Sequence, residues 1–545
     1  MSDHLNHECG IAVVRLRKPL EYFQDRYGDS LWGFRKLFLL MEKQHNRGHD
    51  GVGIGCAKLN MPKGQPYIFR RRDAAKDSLA SLFRSELKRV NKMARKGIVK
   101  LDDPVLLKRK FDYAGEILMG HLRYGTSGEF NSGSCHPYLR RSNWPTRTLM
   151  VMGNFNMTNS CQLNQQLIER GQHPVFGTDT QTVQEEIGFH LDEAHTDIYR
   201  RMRDEGVPGQ EIPDRISEEL DVVKVVGESA EAWDGGYAIC GVIGNGDVFV
   251  LRDPHGIRPC HRLITDEVIA YASERVPLMT VFEASQDEVE ELEPGVVASI
   301  KSDGTMHEGR FAPKVDYRPC SFERIYFSRG NDPGIYQERK AMGSALTQQI
   351  VESIDGNFDK AVFAFVPNTA ETAYYGLMEG LRQYRREEVR SNILEASKKG
   401  ELSEELLDKL IMRNWPRGEK VAHKDVKMRT FISQEKGRAQ LVSHVYDITY
   451  GIVGEDDVLV VLDDSIVRAT TTPRVVAMLR RAGATEVHMR ITSPPITHPC
   501  FYGVDMASRA ELIAAHQSVE EIRQHIDADT LGYLSVEGTM EATRQ

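Results

Sequence analysis

VLVVLDDSIVRATTT, residues 458–472, carries five apolar residues into two adjacent aspartates and then into small and hydroxyl-bearing residues. An unbroken apolar run of this kind, followed by a predicted helix near 473–482 and a further strand at 485–491, reads as a strand covered on both faces, as in a parallel sheet. Ligands of open α/β sheets gather at the carboxyl ends of the strands. A helix N-terminus adds unpaired N–H groups and the positive end of the helix dipole, which together attract an anion. Thr470, Thr471 and the 466–471 backbone therefore suit a phosphate. Asp463 and Asp464 would repel that phosphate if they faced it. They suit ribose hydroxyls or a bridging Mg²⁺ ion, and the whole segment fits a phosphorylated sugar better than a nucleotide base.

Outward from this segment the same rhythm holds back to about residue 313. AVFAFV at 361–366 is a second buried strand, followed by a Pro-Asn-Thr turn and a helix predicted near 371–384. The charged stretch 384–419 reads as a solvated surface helix pair with no chemistry of its own. From 9 to 312 the pattern differs. Short apolar runs such as Ile11–Val14, Ala238–Val242 and Val248–Leu251 are separated by Gly- and Asn-rich turns, which predicts stacked antiparallel sheets with a few helices, one at 31–45.

The composition of the 545-residue chain narrows the classes. With 40% hydrophobic and 27% charged residues it can bury a core, so wholesale disorder is excluded. A net charge of −9 argues against a nucleic-acid coat. No run is long and apolar enough to span a bilayer, and MSDHLNHECG lacks a secretory apolar region, so a cytoplasmic protein is expected. The eight cysteines form no C-x-x-C pair, so neither a zinc ribbon nor a disulfide framework is legible.

VLDDSIVRATT resembles the phosphoribosyl-pyrophosphate loop of type I phosphoribosyltransferases. CSFERIYFSR at 320–329, RTFI at 429–432, VHMRITSPPITHPCFYGVDM at 487–506 and DTLGYLSVEG at 529–538 narrow the likeness to the amidophosphoribosyltransferase family. CGIAVV from Cys9, QHNRGHDGVG at 44–53, GHLRYGTSG at 120–128, GNFNMTN at 153–159, TDT at 178–180 and RDPHGIRP at 252–259 are similar to class II glutamine amidotransferases. The resemblance implies an N-terminal-nucleophile domain of four layers, αββα, at 9–312. A type I phosphoribosyltransferase domain with a parallel sheet follows at 313–545, carrying the charged helical insertion near 384–419. It also implies that residues 1–8 are a leader that is removed.

By the same resemblance Asp463 and Asp464 contact Mg²⁺ and the ribose hydroxyls. Ser465, Arg468, Ala469, Thr470 and Thr471 belong to the 5′-phosphate loop. Asn368 and Thr369 bind pyrophosphate, with the Thr369 oxygen near the metal, and Arg429 lies on a loop that closes over it. In the other half Cys9 is the nucleophile, with its own freed α-amine as base. Arg123 clamps the glutamine carboxylate, Asp179 pairs with the ammonium, and Asn154 with the Phe155 N–H stabilises the oxyanion.

Four departures accompany the likeness. Ala469 replaces a glycine, Pro-Asn-Thr replaces Pro-Asp-Ser, Phe155 replaces a glycine and reads as an altered pocket, and QHNRG holds one extra residue. Cys320 and Cys500 match two of four ligand positions for an iron–sulfur cluster that some members carry, and no cluster is expected from two thiolates. The implied reaction joins glutamine hydrolysis to 5-phosphoribosylamine synthesis, the committed step of purine synthesis, with purine nucleotides as feedback inhibitors. A homo-oligomer, dimer or tetramer, is implied, with no nucleic-acid or membrane partner. Two alternatives stay open on sequence: a glutaminase serving another acceptor, and a non-catalytic phosphoribosyl-pyrophosphate sensor, against which the set Cys9, Arg123, Asn154 and Asp179 speaks.

Overall fold

A computed structural model of the chain describes all residues except 1–8, 49, 76–77, 124–131, 175–177, 413–414, 425–445, 504–507 and 545. The chain divides into two compact units, one of Met1–Cys320 with Cys500–Asp505, the other of Ser321–Pro499 with Met506–Gln545. No helix among the described residues is long and apolar enough to cross a membrane.

The first unit is a sandwich of two antiparallel sheets, seven-stranded and six-stranded, with helices on both outer faces. Strand alternation builds these layers. In Gly10–Leu16, Ile11 and Val13 enter the core between the sheets, while Ala12, Val14 and Leu16 face the helix Trp32–Lys43 and its Phe34, Leu37, Leu40 and Met41. In Leu149–Met157 the even residues Met150 and Met152 face inward. The odd residues Leu149, Val151, Phe155 and Met157 face the outer helical layer, which includes Asp179–Asp204 and Val222–Ala230. Segment 500–505 joins this unit through two backbone carbonyls: Asn156 Nδ2 donates to Phe501 O at 2.7 Å and Arg258 Nη2 to Tyr502 O at 2.6 Å.

The second unit holds a five-stranded parallel sheet in the order Arg417–Gly418, Ala361–Phe365, Val458–Asp463, Glu486–Ile491, Thr530–Tyr533. The helix after the first phosphate-loop strand spans Thr472–Arg481 and buries Val475, Val476 and Leu479. Helices Pro333–Ala345 and Glu371–Lys399 cross with glycines in contact. A Cβ at Gly376 would lie 1.9 Å from Lys340 O, and one at Gly343 1.8 Å from Ala373 O.

The charged stretch departs from its expected form. The predicted 371–384 helix continues without a break to Lys399 and stops where Gly400 takes φ 70°, because no proline interrupts it before Pro416. Arg385 is buried beneath it over the Phe358 ring, and Arg417–Gly418 pairs with Val362 and Phe363 as a sheet edge. The stretch is therefore partly structural and not wholly a solvated helix pair.

Candidate active sites

In the first unit the start of Gly10–Leu16 is fixed by the QHNRG segment. Gln44 Nε2 donates to Ile11 O at 3.1 Å, Gln44 Oε1 accepts from Ser273 N at 3.1 Å, and Ser273 Oγ accepts from Ile11 N at 3.0 Å. Fully buried Arg47 pairs with Glu274 at 2.6 Å, and Asn46 donates to the same carboxylate at 2.7 Å. These bonds hold Cys9, itself buried, where its backbone N donates to Asn154 Oδ1 at 3.2 Å. Asn154 Nδ2 is buried and has no hydrogen-bond partner among the described residues. A buried amide donor left open costs free energy unless a ligand supplies the acceptor.

The Phe155 N–H lies beside it by strand parity. Thr158 N bonds Asp234 O and Gly244 N bonds Thr148 O. Even-numbered residues of Leu149–Met157 therefore exchange bonds with Gly235–Ile243, and odd-numbered N–H groups point the other way. Gly153 N reaches His136 Nδ1 at 3.1 Å and Met157 N reaches Asp179 Oδ2 at 3.2 Å. Phe155 N–H points out between them, past the strand Tyr138–Arg140, whose pairing stops at Val151. The Phe155 ring packs into the outer helical core. The same ring lies 5.8 Å from that of His136.

Arg123 ends the strand Ile117–Arg123 and is buried. Its Nη1 donates to Ser134 Oγ, its Nε has no partner, and no carboxylate is paired with it among the described residues. Asp179 is the first residue of the helix Asp179–Asp204 and accepts from Thr180 Oγ1 at 3.5 Å as well as from Met157 N. One unit thus brings together Cys9, Asn154, Phe155 and Asp179, along with a buried cation at Arg123.

In the second unit a pocket opens at the carboxyl ends of Ala361–Phe365 and Val458–Asp463. Pro367, Asn368, Thr369 and every residue from Asp463 to Thr472 line it. All the described phosphoribosyl residues expected from sequence meet here. Thr492 N and Ser493 N bond Asp463 O and Asp464 O at 3.0 Å each, which fixes the loop. Asp464 N donates to Asp463 Oδ1 at 2.9 Å, and Ser465 Oγ to Asp464 Oδ1 at 2.8 Å. Burial, then the neighbouring Asp464 carboxylate, pushes Asp463 well above the ordinary carboxylate range. Such a pair fits a divalent cation that would relieve it. Ala469 is buried at φ 51°, the left-handed region a glycine occupies without strain. Arg468 Nη2 lies 3.4 Å from Glu511, and the Pro367–Asn368 peptide is cis.

Sequence reading missed Tyr326, Lys424 and Tyr446, which also line this pocket. Lys424 and Tyr446 are partners across a two-stranded antiparallel ribbon, a pairing that no spacing in the sequence signals. Arg429 and residues 1–8 lie outside the described residues. Cys320 and Cys500 both belong to the first unit. Among the described residues no group of three His, Cys, Asp or Glu side chains is arranged to hold a metal ion.

No protein-family model matches the chain. It is 33% identical over 551 residues to the amidophosphoribosyltransferase of Bacillus subtilis, covering 98% of this chain and 90% of that one. It also resembles the solved B. subtilis glutamine phosphoribosylpyrophosphate amidotransferase complexed with ADP and GMP, at 27% identity and TM-score 0.66, covering 98% of this chain and 92% of the other. A structure described as the allosteric regulatory enzyme of purine biosynthesis matches at 27% identity and TM-score 0.67, covering 98% and 91%.

Proposed function

The chain belongs to the amidophosphoribosyltransferase family, and from that premise we propose how its residues divide the work. The enzyme is a glutamine-dependent pentosyltransferase of purine synthesis. With one water consumed, it moves the amide nitrogen of glutamine to C1 of phosphoribosyl pyrophosphate, giving 5-phosphoribosylamine, glutamate and pyrophosphate.

The glutaminase reading is carried by one observation, the open Asn154 Nδ2 beside the Cys9 nitrogen. The Cys9 thiol attacks the glutamine amide and passes its proton to the α-amine that removal of residues 1–8 would expose. An α-amine ordinarily ionises at about pH 8, close enough to neutrality to accept a proton and return it to the leaving ammonia, after which water hydrolyses the thioester and releases glutamate. Asn154 Nδ2 and Phe155 N–H receive the charge that develops on the tetrahedral oxygen. Arg123 gains in the substrate carboxylate the counter-charge it lacks among the described residues, and Asp179 takes the substrate ammonium.

In the second site Thr470, Thr471, the backbone from Ser465 and Arg468 hold the 5′-phosphate at a helix N-terminus, while Asn368 and Thr369 receive pyrophosphate and Arg429 closes over it. Asp463 and Asp464, with the Thr369 oxygen, would hold Mg²⁺, which neutralises pyrophosphate charge when bound. Ammonia must pass to this site unprotonated, since ammonium is no nucleophile, so transfer within the enzyme is part of the reading. Purine nucleotides are read as feedback ligands and the enzyme as a cytoplasmic homo-oligomer without an iron–sulfur cluster.

The test is the mature N-terminus by intact mass, together with glutaminase and ammonia-supported synthesis. The reading expects a chain beginning at Cys9, retention of the leader in Cys9→Ala if cleavage is autocatalytic, and loss of glutaminase alone in Asn154→Ala. Full-rate glutamine hydrolysis by chain that retains residues 1–8 would overturn it.

A further inference from the structure

Gly153, the residue before the oxyanion pair, is gripped on both backbone groups by two stacked histidines. Its N–H donates to His136 Nδ1 at 3.1 Å and its carbonyl meets His121 Nε2 at 3.1 Å, the two rings lying 4.1 Å apart at 21°. A backbone N–H can only donate and a carbonyl can only accept, so the backbone itself assigns the ring protons. His136 Nδ1 is bare, its proton sits on Nε2, and His121 carries a proton on Nε2. His136 Nε2–H is then free to donate to Thr180 Oγ1 at 2.9 Å, and the Thr180 hydroxyl is left to donate toward Asp179 Oδ1 at 3.5 Å. One neutral imidazole thus bridges the strand that presents Asn154 and Phe155 to the helix start that presents Asp179. No side chain fits at Gly153, since a Cβ there would meet Phe155 Cδ1 at 2.6 Å and Ala238 O at 2.9 Å.

We propose that His136 is a positioning residue for glutamine hydrolysis. It holds the oxyanion donors and the ammonium-binding carboxylate at a fixed separation through Gly153 N–H on one side and Thr180 on the other. This rests on the glutaminase reading above. The two arms act on different kinetic quantities. The Gly153 arm places the donors that meet the transition state, so its loss lowers kcat. The Thr180 arm places Asp179, which holds the substrate amine, so its loss raises KM.

The experiment uses the full-length mature enzyme in three variants. His136→Asn keeps an acceptor at the Nδ1 position and loses the Thr180 arm; His136→Gln reaches Thr180 but loses the Nδ1 acceptor; His136→Leu loses both. His136→Leu is expected to lower glutaminase kcat about a hundredfold, the scale of a misplaced catalytic group, with ammonia-supported synthesis within about twofold of wild type. His136→Asn should restore most of kcat with a raised KM for glutamine, and His136→Gln should show the reverse split. If His136→Leu does not fold, the Asn and Gln variants decide alone. Equal kcat and KM in those two, or parallel loss of both activities in all three, overturns the positioning role. Asn154→Ala separates this from failure of the glutaminase reading, because an Asn154 variant that still hydrolyses glutamine refutes the site whatever His136 does.

Discussion

Arg123 shows what one buried side chain demands. A guanidinium in the interior that pairs with no carboxylate among the described residues carries an uncompensated part of its desolvation cost, which a bound carboxylate would offset. Arg123→Ala should therefore lower kcat/KM for glutamine by about 2–5 kcal/mol, chiefly through KM, and leave synthesis from ammonium salts intact. Steady-state kinetics with the two nitrogen donors measures this, and equal loss of both activities would assign Arg123 to the fold instead. Asp463→Asn with Asp464→Asn should remove phosphoribosylamine formation from either donor while basal glutaminase persists, measured by product assay with and without phosphoribosyl pyrophosphate. Cys9, Arg123, Asn154 and Asp179 could be proposed from sequence because each supplies one group a glutamine needs and each sits in a short quotable segment. His136 could not, because its role depends on a backbone N–H seventeen positions away that only the folded strand presents.

The phosphate loop between Val458–Asp463 and Thr472–Arg481 contains its own small penalty. Ala469 at φ 51° costs about 1–2 kcal/mol as a left-handed non-glycine residue, and a glycine there would give back part of this in unfolded-chain entropy. Ala469→Gly should thus stabilise the protein by about 0.5–1 kcal/mol, read from denaturant unfolding, with synthesis activity retained. The helix Asp179–Asp204 carries a different liability. His195 is buried against Trp144 and Tyr199, both ring nitrogens lack partners among the described residues, and burial, aided by Arg147, pushes it down to about 4. Because its folded value lies below the unfolded one, the unfolded chain binds the proton first. His195's contribution is therefore complete above about pH 6.5 and eroded as pH falls toward about 4. His195→Leu should flatten this acid slope by about 2 kcal/mol, seen as thermal midpoints against pH, and an unchanged slope would show that His195 does not control it. Strand–turn–helix units were legible because apolar runs and helix starts are local. The length of Glu371–Lys399 was not, since its charged surface hides the buried Arg385 that continues the packing.

For the whole chain, the change of rhythm near 313 and the family segments announced two halves, but the return of 500–505 to the first unit left no mark in composition. Cys320 and Cys500 sit at two of the three points where the chain changes unit, and two thiolates do not make a cluster site. Purified enzyme should be colourless, without broad absorption near about 400 nm, and stoichiometric iron and sulfide in an anaerobic preparation would refute this. The excursion of 500–505 also sets an order of events during translation. The carbonyls of Phe501 and Tyr502 that Asn156 and Arg258 bind belong to a part of the chain made late. Residues 321–499 must leave the ribosome first, which at about 5–20 residues per second takes on the order of ten to forty seconds. Asn156 and Arg258 therefore gain these two partners only after all of 321–499 has been made.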